Sequence, residues 1–185
     1  MKKKILIIDF GSQYSQLIAR RVREMEVFCE IIHSSKIMNV IEEERENILG
    51  VILSGGPESV YEENSPSVEK ALFSQNIPVL GICYGMQLIT HLHEGTVERA
   101  ESREFGKASL EILETENLLF ENVKQHSQIW MSHGDHITKL PDDFRVIAQT
   151  ATSVAAIMND SNIFALQFHP EVSHSIFGKE ILENF

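Results

Sequence analysis

Read as a pattern of apolar and polar positions, the chain falls into two halves. The first alternates short apolar runs with longer amphipathic stretches. Lys4 to Asp9 is a near-continuous apolar run rich in isoleucine, the signature of a strand buried on both faces of a parallel sheet. After a turn at Asp9-Phe10-Gly11-Ser12, Leu17, Ile18, Val22 and Met25 recur at helical spacing and predict a helix over Tyr14 to Glu26. Val27 to Ile32 reads as a second strand, Lys36 to Arg45 as a helix, and Gly50 to Leu53 as a third strand. Ser65-Pro66 has the composition of a helix start, cap followed by proline at the first helical position, and predicts a helix running to about Ser74. Val79 to Ile82 is a fourth apolar run, and Tyr84 to Leu92 has helical composition. Strand and helix alternate four times, which predicts a doubly wound α/β sheet.

After Gly95 the pattern changes. Thr96–Ala100, Ala108–Leu113, Gln128–Met131, Phe144–Thr150, Val154–Asn159 and Ile163–Phe168 read as shorter strands, with a hairpin turn at Asn159-Asp160-Ser161-Asn162. His174 to Phe185 reads as a closing helix. Trp130 and the phenylalanines are expected in the core. With no internal repeat and no low-complexity linker, residues 1–185 are expected to form one domain.

Cys83 in the stretch Gly81-Ile82-Cys83-Tyr84-Gly85 reads either as a buried apolar cysteine at a strand end or as a nucleophile. Glycines two residues before and two after a cysteine, between a strand and a helix, form a nucleophile elbow with sulfur in place of oxygen. A β-carbon at either flank would collide where strand and helix cross. The turn also sets the sulfur at a helix N-terminus, where N–H groups and the dipole favour thiolate. A cysteine nucleophile needs a base. Gln167-Phe168-His169-Pro170-Glu171 closes the last strand, and in extended backbone residues two apart face the same way. Glu171 is then placed to orient His169, leaving the other ring nitrogen for Cys83. The loop Ser54-Gly55-Gly56-Pro57 ends the third strand. If that strand neighbours the elbow strand, a loop N–H and the Tyr84 N–H point at one oxygen.

Composition narrows the remaining choices. A formal net charge of -11 argues against non-specific binding to nucleic acid or anionic membranes. Two cysteines give no disulfide framework, and Cys29 reads as structural. A reducing cytoplasm fits this usage. The apolar run after the three N-terminal lysines is too short for a signal peptide, and no run reaches the roughly 18 apolar residues of a membrane span. His133 and His136 are three apart, but no cysteine or carboxylate set completes a metal site.

Taken together these residues resemble the class I (triad) glutamine amidotransferases over nearly the whole chain. Ile8 to Tyr14, Arg103-Glu104-Phe105-Gly106 and Met131-Ser132-His133-Gly134-Asp135 are most similar to the amidotransferase part of the GMP synthetase branch. The resemblance implies a flavodoxin-like doubly wound sheet with an antiparallel extension. It implies Cys83, His169 and Glu171 as the catalytic residues and Gly56 and Tyr84 as oxyanion-hole donors. Gly55, Gln87, Ser132, His133 and Gly134 would hold glutamine. It implies no cofactor in this chain. The partner it implies is an ATP pyrophosphatase domain or subunit that would use ATP and Mg²⁺ to convert XMP to GMP. That domain's Ser-Gly-Gly-Val-Asp-Ser phosphate loop does not occur in these 185 residues. An amidotransferase of another pathway, another cysteine hydrolase, or a silent regulatory module of the same fold are the alternatives.

Overall fold

The computed structural model describes residues 2–185, except for the side chains of residues 101–103. Its backbone is a nine-stranded sheet. The first half supplies β1 (Lys4–Asp9), β2 (Cys29–His33), β3 (Ile48–Leu53) and β4 (Val79–Ile82), all parallel and joined by α1 (Ser15–Glu24), α2 (Ile37–Glu44) and an irregular segment. The second half follows α3 (Tyr84–Leu92) and supplies β5 (Thr96–Ile112), β6 (Ser127–Lys139), β7 (Arg145–Gln149), β8 (Val154–Met158) and β9 (Ile163–Leu166), before the closing α4 (Gly178–Asn184). The strand order is β2-β1-β3-β4-β9-β8-β7-β5-β6. β9 lies parallel to β4 and joins the parallel core, and the others form the antiparallel extension. This is the expected doubly wound, flavodoxin-like order, with an antiparallel flank.

Alternation along the parallel strands explains why both faces are covered. In β1, Ile7 packs on one face with Ile18, Ala19 and Val22 of α1 and Ile181 and Leu182 of α4. Leu6 and Ile8 pack on the other with Ile37 and Ile41 of α2 and Met86 and Ile89 of α3. Side chains two apart share a face, so an unbroken apolar run feeds two cores at once. Cys29 is buried in the first core; its thiol donates to the Ala19 carbonyl at 3.5 Å, and burial pushes its pKa up. Lys4, the first residue of β1, is buried and paired with Glu30 at 2.7 Å and Glu44 at 3.0 Å. Glu42 and Glu43 are exposed, as a solvated charge run should be.

Four expectations are corrected. Ser65-Pro66 starts no helix: only a short 3₁₀ turn forms, over Lys70–Ser74, and Glu69 before it is extended. The Ser65 hydroxyl donates back to the Val60 carbonyl, and the Pro66 carbonyl accepts from Tyr84, so tertiary contacts take the groups a helix start would use. The two runs at 96–100 and 108–113 are one irregular strand, and its partner β6 extends eight residues beyond Met131. The closing helix begins at Gly178 and not His174, because Val172 to Phe177 forms turns under the functional site. Phe28 and Phe105 are exposed and not core. The matching residue Arg103 lies outside the described side chains. No helix among the described residues is long and apolar enough to cross a membrane.

Candidate active site

The elbow is built as its glycines require. A β-carbon on Gly81 would sit 2.7 Å from the Gly85 backbone, and one on Gly85 would sit 2.3 Å from the Leu53 carbonyl of β3. Strand, helix and neighbouring strand meet with no room for a side chain. Cys83 itself takes φ 53°, ψ −104°, a conformation that L-residues avoid and that is held here by its surroundings. Its N–H donates to the Leu166 carbonyl of β9 at 2.7 Å, and α3 begins at the next residue. The thiol points at the Ser132 carbonyl of β6, 3.5 Å away.

His169 arrives from the loop after β9. The structure corrects the reason for its pairing with Glu171: β9 stops at Leu166, three residues before His169, and Pro170 and Glu171 lie in a turn. The pairing itself is present. His169 Nδ1 and Glu171 Oε1 are 2.7 Å apart, and both residues are buried. The turn is clamped around them. Ser175 Oγ donates to the His169 carbonyl at 2.6 Å and accepts from Trp130 N–H, while His169 N–H donates to the Trp130 carbonyl. Arg21 of α1 donates to the Glu171 carbonyl. The Tyr14 ring packs at 5.1 Å on the imidazole. A β-carbon on Gly55 would lie 3.2 Å from His169 Cε1 and 3.8 Å from Cys83 Cβ. Imidazole and cysteine both stand against Gly55, where an added β-carbon would crowd the ring.

Burial alone would lower the His169 pKa. The hydrogen bonds and charges of Cys83 and Glu171 outweigh it and raise the pKa from 6.5 to about 10. Both neighbours thus favour the charged ring over the neutral one. The folded state holds this proton more tightly than the unfolded chain, so its stabilisation is complete below about pH 6.5 and is lost as pH rises toward about 10. Glu171→Gln removes one of the charges that raise the pKa. Urea unfolding followed over that range is expected to show a steeper alkaline loss for the parent than for Glu171→Gln. Parallel curves would exclude His169 as the titrating group.

β3 does neighbour β4, so the Ser54–Pro57 loop stands beside the elbow. Tyr84 is the first residue of α3, and its N–H has no acceptor inside the helix. Gly56 closes on it from the loop: a β-carbon there would meet the Phe10 carbonyl at 3.0 Å and the Tyr84 ring at 3.3 Å. A cavity of about 450 Å³ opens in front of Cys83, lined by Gly56, Gln87, Ser132, His133 and Gly134 among others. Gly55 does not line it; it is packed against Cys83 and His169. Gln87 is held by its amide to the Asp135 carbonyl at 3.3 Å and to Gln167 at 3.5 Å. The His133 ring is fixed against the Asp135 carbonyl and Glu104, so this residue offers mainly backbone to the cavity.

Sequence reasoning missed the rest of the wall: Glu58, Ser59, Tyr61, Glu62, Arg99, Phe105 and Asp135. Asp135 is buried, and its carboxylate accepts from Ser59 Oγ at 2.5 Å and Tyr61 OH at 3.0 Å. Asp135 closes the Met131–Asp135 motif and Ser59 follows the glycine loop, but their contact spans 76 residues and has no local spacing to reveal it. Among the described residues, no group of three or more His, Cys, Asp or Glu side chains is placed to hold a metal ion.

Known proteins carry the same architecture. A family model, glutamine amidotransferase class-I, matches residues 6–185. The GMP synthase [glutamine-hydrolyzing] of Fusobacterium nucleatum is 54% identical over 187 residues, covering all of this chain and 36% of its own length. That of Spiroplasma kunkelii is 50% identical over 98% of the chain and 35% of its own length. The chain thus spans about a third of the curated relatives it matches. A solved protein of Thermoplasma acidophilum, assigned as a GMP synthase subunit, superposes with a TM-score of 0.82 at 30% identity, covering all of this chain and 92% of that one.

Proposed function

The chain belongs to the class I glutamine amidotransferases, and from that premise we propose that Cys83, His169 and Glu171 hydrolyse the side-chain amide of glutamine. The ammonia then goes to a synthetase domain or subunit that aminates XMP to GMP. ATP and Mg²⁺ act there and not in this chain. The relatives' names and the share of them that this chain spans support that partner. A reducing compartment such as the cytoplasm suits a working thiolate.

The reaction follows from the residues. Cys83 sulfur bonds to the amide carbon, and the oxyanion is held by the Gly56 and Tyr84 N–H groups, each typically worth about 2.7–4 kcal/mol. His169 gives its proton to the departing nitrogen, the C–N bond breaks, and a γ-glutamyl thioester remains. The neutral imidazole then takes a proton from water as oxygen bonds to the carbon. The C–S bond breaks, glutamate leaves, and the thiolate–imidazolium pair is restored. The cavity carries both signs of charge, Glu58, Glu62 and Asp135 against Arg99, which suits an amino acid's ammonium and carboxylate.

The observation that carries this reading is the buried His169–Glu171 pair beside a cysteine held at positive φ. The test is covalent labelling with a glutamine-analogue diazo-ketone or chloroketone. Mass is expected on Cys83 alone, with glutamine protecting it. Labelling that ignores glutamine would favour another cysteine hydrolase, and an unlabelled but accessible thiol would favour a silent module.

A further inference from the structure

Cys83 faces two cavities, and glutamine occupies only one of them in the proposed reaction. The first, described above, holds Gln87 and the charged groups. The second, of about 360 Å³, opens on the other flank of the sulfur, under the loop after β1. Gly56, Pro57, Cys83 and Ser132 line both. His169 lines the second and not the first.

That division matters because His169 handles two small molecules in turn: the nitrogen that leaves and the water that replaces it. Both must stand within hydrogen-bond reach of the imidazole. The first cavity is filled by the glutamine head group and, through the thioester, remains filled by the glutamyl group until the last step. Neither small molecule passes that way while it is occupied.

We infer that the second cavity is the passage for ammonia leaving and water arriving, with the Gly11–Tyr14 loop as its rim. This rests on the proposed amide hydrolysis and assigns the traffic within it. The rim is a built structure. Gly11 takes φ 86°, and its N–H donates to Asp9 Oδ1. Ser15 Oγ donates to the same oxygen at 2.7 Å, and Ser12 Oγ accepts from Tyr14 N–H at 3.0 Å. These bonds hold the Tyr14 ring against His169 and keep the passage open. Gln13 is an exposed member of the rim, and its side chain makes no hydrogen bond among the described residues. Its side chain is the one that can be enlarged without breaking the loop.

The test replaces Gln13 by tryptophan, with Gln13→Ala as the control. Three quantities are measured: labelling of Cys83 by the glutamine-analogue diazo-ketone, steady-state ammonia release, and thioester on the protein by rapid quench and intact mass. Gln13→Trp is expected to label like the parent, because glutamine enters by the first cavity. Its turnover is expected to fall about tenfold or more, with thioester accumulating as deacylation is starved of water. Gln13→Ala is expected to match the parent throughout. Parent-like turnover in Gln13→Trp overturns the inference while leaving the amide chemistry standing. Labelling slowed as much as turnover also overturns it, since glutamine itself would then use the second cavity. Failure of the parent to show glutamine-protected labelling removes the amide chemistry instead.

Discussion

Cys83→Ala is expected to remove glutamine hydrolysis, lowering turnover by about 10⁴-fold to 10⁶-fold, as losing a nucleophile does elsewhere. The fold is expected to survive. Alanine keeps the β-carbon and with it the cost of φ 53°, so no strain is released. The buried sulfur itself is worth about 1 kcal/mol, and the thiol's share of the His169 proton-linked stabilisation goes with it. The same variant changes its neighbour. Burial lowers the His169 pKa and the two partners raise it; without the thiol, Glu171 alone opposes burial, and the pKa is expected to fall from about 10. Ammonia release measures the first effect and an NMR titration of the imidazole the second. Turnover near the parent's would refute the nucleophile. An unchanged titration would refute the pairing of sulfur and ring even if activity were lost.

The sequence reveals most where one local rule dictates the backbone. The elbow is such a place: glycines at 81 and 85 have a steric reason, and in the structure a β-carbon at either would stand 2.7 Å or less from backbone. The parallel strands are another, since a run such as Lys4–Asp9 admits one environment only. Legibility falls where distant partners decide. Residues 65–69 carry helix-start chemistry, yet Val60 and Tyr84 claim their polar groups and no helix forms there. The β5–β6 arm reads as broken because its register shifts between Arg99 and Glu104, and Gly106 takes φ 111°. His169 and Glu171 pair as expected but on a turn, so spacing in the chain pointed to the right contact through the wrong backbone. The charged cavity wall has no motif at all. Ser59, Tyr61 and Asp135 become neighbours only once β6 is laid beside the glycine loop.

Gly178 opens α4 directly behind Pro170. A β-carbon on it would stand 1.9 Å from the Pro170 carbonyl oxygen, 2.7 Å from the carbonyl carbon and 3.0 Å from Cα. All three are backbone atoms, so no side chain can swing aside. Relief requires helix and turn to part by about 1 Å or more, against packing that resists such shifts. Pro170 lies between His169 and Glu171, and the same turn is tied by Ser175 Oγ to the His169 carbonyl and by Gly178 N–H to the Ser175 carbonyl. The displacement therefore reaches the imidazole. Gly178→Ala is expected to cost about 1–3 kcal/mol of stability through overpacking, more than the roughly 1 kcal/mol alanine gains in helix propensity. An imidazole displaced by about 1 Å is expected to lower kcat about 100-fold. KM for glutamine is expected to stay near the parent's, because His169 does not line the glutamine cavity. Lys179→Ala, one residue along on the exposed side of α4, loses only a surface ion pair to Glu183 and is the control. Steady-state kinetics and thermal melts on the three proteins decide the matter. If Gly178→Ala kept parent kcat, the contact between helix and turn would not be what sets the imidazole in place.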